Sequence, residues 1–278
     1  KINLFLHVVG RRADGYHLLQ TGFQFLDLCD SLDFGIRDDG RVRRSGGLDG
    51  VPEDEDLVVL AARHLQADTG TSLGADIHVT KRIPAGGGLG GGSSDAATTL
   101  LALNHLWRLG LEPDRLATLG LALGADVPVF VHGHAAWGEG IGEVLTPFDP
   151  PQGWVLVLHP GCHVPTATVF KDPELTRNSP PITMRDFLEG RARNDCEPVV
   201  RRRFPAVAAA LDWLSGHAPA RLTGTGACVY ATFASQAQAD AVAEQVPAGW
   251  QGYVARSTNV SPLRARLAGY RTAPERSQ

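Results

Sequence analysis

Pro84-Ala85-Gly86-Gly87-Gly88-Leu89-Gly90-Gly91-Gly92-Ser93-Ser94-Asp95 holds six glycines broken by one leucine, with a strand-like segment before it and a helix-like segment after it. Glycine in regular structure costs about 0.5–1 kcal/mol relative to alanine, so a run this dense needs a compensating reason. Close backbone approach to phosphates supplies one. Without Cβ atoms the amide N–H groups can turn inward as an anion nest, and a helix starting at the end of the run aims its unpaired N–H groups at the same ligand. The flanks fit that geometry. Ala75 to Ile83 alternates apolar and polar residues, the period of a half-buried strand. Ser93, Ser94 and Asp95 are N-cap types, and Ala96 to Leu109 carries apolar residues at helical spacing until Gly110. A flexible linker would not be framed by two strongly patterned elements.

Two other phosphate loops fit less well. A P-loop needs a lysine before its serine or threonine, and this run has none. Gly86-x-Gly88-x-x-Gly91 matches the dinucleotide fingerprint, with Glu112 at a plausible distance for a ribose contact. The strand before such a fingerprint is buried on both faces, however, whereas this one alternates and ends in Lys81-Arg82-Ile83-Pro84. A loop leaving a one-sided sheet is the better reading.

Composition bounds the remaining possibilities. At 278 residues the chain is long for one core, and two domains are expected, with tandem prolines in Asp149-Pro150-Pro151-Gln152-Gly153 marking the break between 1–150 and 151–278. Lys+Arg 26 against Asp+Glu 30 leaves a net charge of −4, which opposes general binding of nucleic acid or an anionic membrane. Cys29, Cys162, Cys196 and Cys228 are far apart, form no Cys-x-x-Cys pair, and read as reduced, mostly buried thiols of a cytoplasmic protein. No apolar run approaches the ~18 residues of a membrane span, and Lys1 to Val9 alternates like a strand rather than a signal peptide.

The chain pattern is α+β. Lys1 to Val9 and Leu18 to Leu28 read as an antiparallel pair around Ala13-Asp14-Gly15, and Leu32 to Arg37 with Arg41 to Arg44 as a second hairpin. Leu57 to Leu65 and the segment from Glu112-Pro113-Asp114 to Leu123 read as helices. Val127-Pro128-Val129-Phe130 reads as an apolar strand after the glycine turn Gly124-Ala125-Asp126. Beyond the prolines come a buried strand at Trp154 to Leu158, helices split near Pro205 within Asn194 to Leu214, two strands around Thr223-Gly224-Thr225-Gly226, a helix from Gln236 and a strand from Gly252. Only a polar end after Tyr270 is of low complexity, and no internal repeat is present. The Arg201-Arg202-Arg203 run reads as a solvated helix face.

Three motifs, Lys1-Ile2-Asn3-Leu4, Pro84 to Ser94, and Leu222-Thr223-Gly224-Thr225-Gly226-Ala227-Cys228, resemble the three signatures of the GHMP small-molecule kinases. Arg12-Ala13-Asp14-Gly15-Tyr16-His17, Leu123 to Pro128 and Phe170-Lys171-Asp172-Pro173-Glu174-Leu175 are similar to the branch of that superfamily acting on a cytidine-diphosphate-linked methylerythritol in non-mevalonate isoprenoid synthesis. The resemblance runs from Lys1 to about Arg264 and departs at the start, where the residues usually preceding the lysine are absent. It implies a two-domain fold, an N-terminal ribosomal-protein-S5-like domain and a C-terminal α/β-sandwich domain, with ATP and substrate in the cleft between them.

It also implies transfer of the γ-phosphoryl of ATP to the 2-hydroxyl of the substrate. Asp126 matches the catalytic base and Lys1 the catalytic lysine, while Asn3 would orient the hydroxyl. ATP contacts are expected from Pro84, Ala85, Gly86, Gly87, Gly88, Leu89, Gly90, Gly91, Gly92, Ser93, Ser94, Asp95, Thr223 and Gly224, with Lys81 on the adenine side. Tyr16 and Phe170 would stack the cytosine, His17 would hydrogen-bond it, and Thr166 would lie near the substrate. Mg²⁺ is expected with ATP, although no acidic pair marks its ligands beyond a guess at Ser94. Another GHMP kinase and a nicotinamide-dependent oxidoreductase are the rival readings. An RNA-binding module is a third, opposed by the charge balance. A monomer or homodimer without nucleic-acid or membrane partners is the expected state.

Overall fold

The computed structural model describes residues 1–48 and 50–272. The polar end expected after Tyr270 falls, from residue 273 on, outside the described residues. The chain packs as two compact units that are discontinuous in sequence. The first contains Lys1–Cys29, Arg82–Gly91 and Ala135–Asn259, and the second contains Asp30–Lys81, Gly92–His134 and the chain from Val260 on. The proline-rich stretch 149–153 thus lies inside the first unit.

The first unit is built on one eight-stranded sheet. β1 (Ile2–Arg11) and β2 (His17–Leu26) form the expected antiparallel pair. β2 also pairs with β6 (Ala136–Glu139), which carries β7 (Val144–Pro147). At its end β2 meets β11 (Gln251–Thr258), and β8 (Trp154–His159), β10 (Val229–Phe233) and β9 (Ala220–Leu222) complete the order. β8 is an interior strand, between β11 and β10, and is buried on both faces. Leu156 and Leu158 join one apolar cluster with α7 (Glu197–Arg203) and α8 (Pro205–Ser215), while Val155 and Val157 join another with Leu89, Tyr230 and Ala255. This is the period-2 alternation of a covered sheet. β1 is bulged. Its register with β2 slips between Asn3 and Phe5, so Ile2 and Leu6 enter clusters on opposite faces despite their even spacing. Short helices α5 (Thr166–Phe170) and α6 (Met184–Leu188), and α9 (Gln236–Ala243), finish this unit.

The second unit has a three-stranded sheet in the order β3 (Ser31–Arg37), β5 (Gly74–Thr80), β4 (Val42–Gly46). The expected second hairpin is therefore corrected. Both strands exist, but each pairs with β5, and β4 runs parallel to it. Parallel partners need a crossover long enough for a helix, and α1 (Leu57–Thr69) provides it. α1 is capped by the Asp56 carboxylate on Val58 N at 2.8 Å and closed by Gly70 at φ 68°. At the start of β5, Gly74 lies against the Arg41 backbone, leaving no space for a Cβ. α2 (Gly91–Leu106), α3 (Pro113–Leu121), α4 (Val127–His132) and α10 (Pro262–Thr272) complete the unit.

α4 corrects a second expectation. Val127 to Val131 is wholly buried and rich in valine, so it imitates a core strand, yet it is helical. Pro128 in the first turn and Gly133 in the left-handed region at its end fit the start and stop of a helix.

Candidate active site

In the first unit, the glycine run is held by its carbonyls. Ala227 N donates to Gly86 O at 3.3 Å and Cys228 N to Gly87 O at 3.1 Å. Gly88 O accepts from Lys1 Nζ at 3.2 Å and Thr223 Oγ1 at 3.4 Å, and Leu89 O accepts from the Lys1 main-chain nitrogen at 3.2 Å. Among the described residues, none of the N–H groups from Gly86 to Leu89 has a protein acceptor.

The backbone alternates. Gly86, Gly88 and Gly90 lie at φ 65°, 75° and 70°, and Gly87 and Leu89 lie outside the positive-φ region. Successive residues of opposite hand turn neighbouring N–H groups toward one point, the geometry of an anion nest. Leu89, the one residue with a large side chain, falls where φ permits it and buries that side chain with Ile2 and Ile83. Close packing reinforces the need for glycine. A Cβ on Gly87 would strike Cys228 Sγ, and one on Gly88 would strike Thr223 O. α2 starts at Gly91, so Ser93, Ser94 and Asp95 lie within its opening turns rather than before it.

Lys1 and Asn3 brace the same place. Lys1 is almost wholly buried, its Nζ donates to Asn3 Oδ1 at 2.6 Å, and it stands 5.4 Å from the Phe23 ring centre. Asn3 Nδ2 donates to Thr21 Oγ1, and Asn3 N to Thr223 Oγ1. Tyr230 OH closes on Asn3 O at 3.2 Å. Thr166 Oγ1 lies 3.0 Å from Thr225 Oγ1, which ties α5 to the second glycine turn. Thus Lys1, Asn3, the loop from Gly86 to Leu89, the Thr223–Thr225 turn and Thr166 are joined within the first unit.

A second cluster of this unit contains the aromatic candidates. The His17 and Phe170 rings stack with centres 5.0 Å apart, while Tyr16 is 62% exposed at the β1–β2 turn. His17 Nε2 accepts from Arg177 Nε at 3.1 Å, and burial, then Arg177 and Arg11, hold the imidazole below its ordinary pKa. Arg177 is a residue that sequence reasoning missed, standing two positions beyond the Phe170–Leu175 motif. The Arg201–Arg203 run forms a largely exposed face of α7, as expected, and its side chains also make ion pairs. Arg202 Nη2 and Arg203 Nε bind the buried Asp172 carboxylate in the loop after Phe170, and Arg201 pairs with Asp212.

In the second unit, Lys81 Nζ donates to Asp30 Oδ2 at 2.5 Å and Asp95 Oδ2 at 2.7 Å. Burial pushes the Asp95 carboxyl up to about 7 against the pull of Lys81. Burial alone would lower Lys81, and the two carboxylates outweigh it and hold the ammonium above the usual lysine range. Asp30 carries no sequence signal, since it becomes a partner only when β3 and β5 pair. Asp126 immediately precedes α4, is half-buried, and does not use its carboxyl to cap that helix. A Cβ on Gly124 would lie 3.6 Å from Ser93 Oγ, so the Asp126 turn faces the start of α2. Among the described residues no group of three or more His, Cys, Asp or Glu could hold a metal ion, no helix is long and apolar enough to cross a membrane, and all four cysteines are free.

A nest of glycine N–H groups, a buried lysine on its carbonyls and a second glycine turn beneath it describe a phosphate-handling enzyme. The sequence matches GHMP kinases N terminal domain over residues 56–134 and GHMP kinases C terminal over residues 175–252. The chain belongs to the GHMP kinases and is a small-molecule kinase. It is 60% identical over 276 residues to a 4-diphosphocytidyl-2-C-methyl-D-erythritol kinase of Alkalilimnicola ehrlichii, covering 99% of this chain and 95% of that one. A protein of the same name from Halorhodospira halophila is 58% identical over 271 residues, covering 96% and 94%. A crystal structure of 4-(cytidine 5'-diphospho)-2C-methyl-D-erythritol kinase superposes with a TM-score of 0.81 at 32% identity, covering 92% of this chain and 96% of that one. Mevalonate kinase, at 14% identity and a TM-score of 0.66, shares the fold.

Proposed function

We propose that this kinase transfers the γ-phosphoryl of ATP to the 2-hydroxyl of 4-diphosphocytidyl-2-C-methyl-D-erythritol, giving the 2-phosphate and ADP in the non-mevalonate isoprenoid pathway. The observation that carries the phosphoryl chemistry is the glycine loop, whose carbonyls are bound by the protein while the N–H groups of Gly86 to Leu89 have no acceptor among the described residues. The particular substrate is supported by relatives at 56–60% identity over nearly the whole chain.

Phosphoryl transfer asks the protein chiefly for alignment and charge stabilisation. The Pro84–Ser94 loop and Asp95 in α2 would cradle the phosphates together with Thr223 and Gly224. Lys81, committed to Asp30 and Asp95, would act on the adenine side by fixing the start of α2 rather than by direct donation. Asp126 would take the proton of the attacking hydroxyl. Lys1, held on Gly88 O and Asn3 Oδ1, would place positive charge beside the oxygen in flight, and Asn3 would orient the hydroxyl. Tyr16, His17 and Phe170 would bind the cytosine and Thr166 the polyol. Mg²⁺ would travel on the ATP phosphates and neutralise their charge. It would keep most of its shell in water and phosphate oxygens, with the Ser94 hydroxyl as the protein ligand at the start of α2.

Modules 1–150 and 151–278 of the chain, a cytoplasmic location, and a monomeric or homodimeric state without nucleic acid complete the proposal. The two family matches fall on either side of residue 150, which supports the modular division. A coupled assay of ADP release with ATP and the cytidine-diphosphate substrate tests the reaction, with a phosphorylated 2-hydroxyl as the expected product. Protection from heat by NAD but not ATP, with no ADP release, would instead favour an oxidoreductase.

A further inference from the structure

The four hydrogen bonds of Arg177 connect the two halves of the aromatic cluster. Its Nε donates to His17 Nε2 at 3.1 Å, its Nη2 to Phe170 O at 2.9 Å and Asp172 O at 2.7 Å, and its Nη1 to Leu175 O at 3.0 Å. A guanidinium only donates, so the ring nitrogen it faces must be the unprotonated one. In a neutral imidazole the proton is then on Nδ1, and among the described residues nothing accepts from Nδ1. The loop that receives the other three bonds is itself fixed. The Asp172 carboxylate is buried under Arg202 and Arg203, and the Phe170 ring lies on the His17 ring. One planar fork therefore determines which imidazole nitrogen carries a hydrogen and where the neighbouring ring stands.

We infer that Arg177 is the positioning residue of the base subsite: it selects the Nδ1–H tautomer of His17, offering one N–H donor to the acceptor edge of a pyrimidine, and holds Phe170 in stacking register. That the subsite takes a cytidine rests on the proposed function, whereas the effect of Arg177 on His17 does not. Burial and the adjacent cations keep the ring neutral, which the tautomer selection requires.

The experiment pairs a substrate-free measurement with a kinetic one. Nitrogen-15 correlation spectra of the histidine rings, with His17→Asn for assignment, should show His17 as Nδ1–H in the parent and as a tautomer mixture in Arg177→Met. The same variant should raise the KM for the cytidine-diphosphate substrate roughly tenfold or more, the cost of a lost charged hydrogen bond. Its kcat at saturation and its KM for ATP should stay within about twofold, because the nucleotide loop is untouched. Arg177→Lys, which keeps the cation but cannot form the fork, should retain the Nδ1–H tautomer with an intermediate KM, and it stands as the test should the methionine variant not fold. An unchanged His17 spectrum in Arg177→Met would overturn the inference. A joint fall of kcat and ATP affinity in both variants would do so as well, because it would mark a general structural role. The expected tautomer change in a protein that does not turn over the cytidine substrate would support the role of Arg177 and overturn the substrate reading.

Discussion

The phosphate end and the base end of the site are built from different materials. At the glycine loop the proposed function gives the ligand-facing role to backbone N–H groups, and side chains such as Lys1 and Thr223 donate to the Gly88 carbonyl. At the base end the proposed function gives the ligand-facing role to the rings of Tyr16, His17 and Phe170, and the backbone is what Arg177 grips. A backbone site tolerates almost no added atom, because a Cβ at Gly87 or Gly88 meets the second glycine turn. A side-chain site tolerates change atom by atom and loses affinity by degrees. Substitutions at the two ends should therefore fail differently.

The largest separation is expected from Asp126→Asn. With the fold and ATP binding retained, kcat should fall by ~10²–10⁴-fold through loss of the base. Single-turnover kinetics within a few-fold of the parent would remove Asp126 from that role. Gly88→Ala comes next. It forces a side chain to φ 75° against Thr223 O, so a stability loss of about 1–3 kcal/mol is expected in denaturant unfolding, with weakened ATP binding and near-normal binding of cytidine diphosphate by calorimetry. Equal loss of both ligands would show that the two ends are not independent.

Phe170→Leu should spare stability and ATP affinity and raise the KM for the cytidine substrate by the equivalent of ~1–3 kcal/mol of stacking. Because Phe170 stacks on His17, its effect should be less than additive with His17→Asn in a double-mutant cycle, whereas Tyr16→Leu, at the exposed turn, should combine more nearly additively. A sharp drop in Tm with KM unchanged would make Phe170 a core residue.

The smallest effect concerns Asp95. Its carboxyl is raised from 3.8 to about 7 in the folded protein, so the native state holds a proton that the unfolded chain releases. The stabilisation this gives is fully present below about pH 4 and is lost as pH rises through about 7. Across that window the parent should therefore lose stability relative to Asp95→Asn, read as the difference between their unfolding free energies at each pH. A difference independent of pH would mean that Asp95 stays ionised beside Lys81.

The order and type of most elements follow from local chemistry. The caps of α1, the proline at the start of α3, the Pro205 break between α7 and α8, and the strands flanking Thr223–Gly226 are all local signals. Two misreadings have different causes. Buried segments lose their distinguishing period, so the valine-rich α4 passes for a strand, and β3 and β4 pass for a hairpin because nothing nearby reveals that β5 will enter between them.

The same division holds at the site. The sequence by itself determined the glycine loop, the second glycine turn, the lysine and the aromatic motifs, because backbone freedom and ring chemistry are properties of residue types. Only the tertiary structure decided that Gly88 O is held by Lys1 and Thr223, that Asp30 joins Lys81 and Asp95, and that Arg177 reaches back to His17. Those partners lie 51 to 160 positions apart, apart from the 14 between Lys81 and Asp95. A hydrogen bond across such a distance has no local propensity to announce it and exists only once sheet pairing and core packing have brought its two ends together.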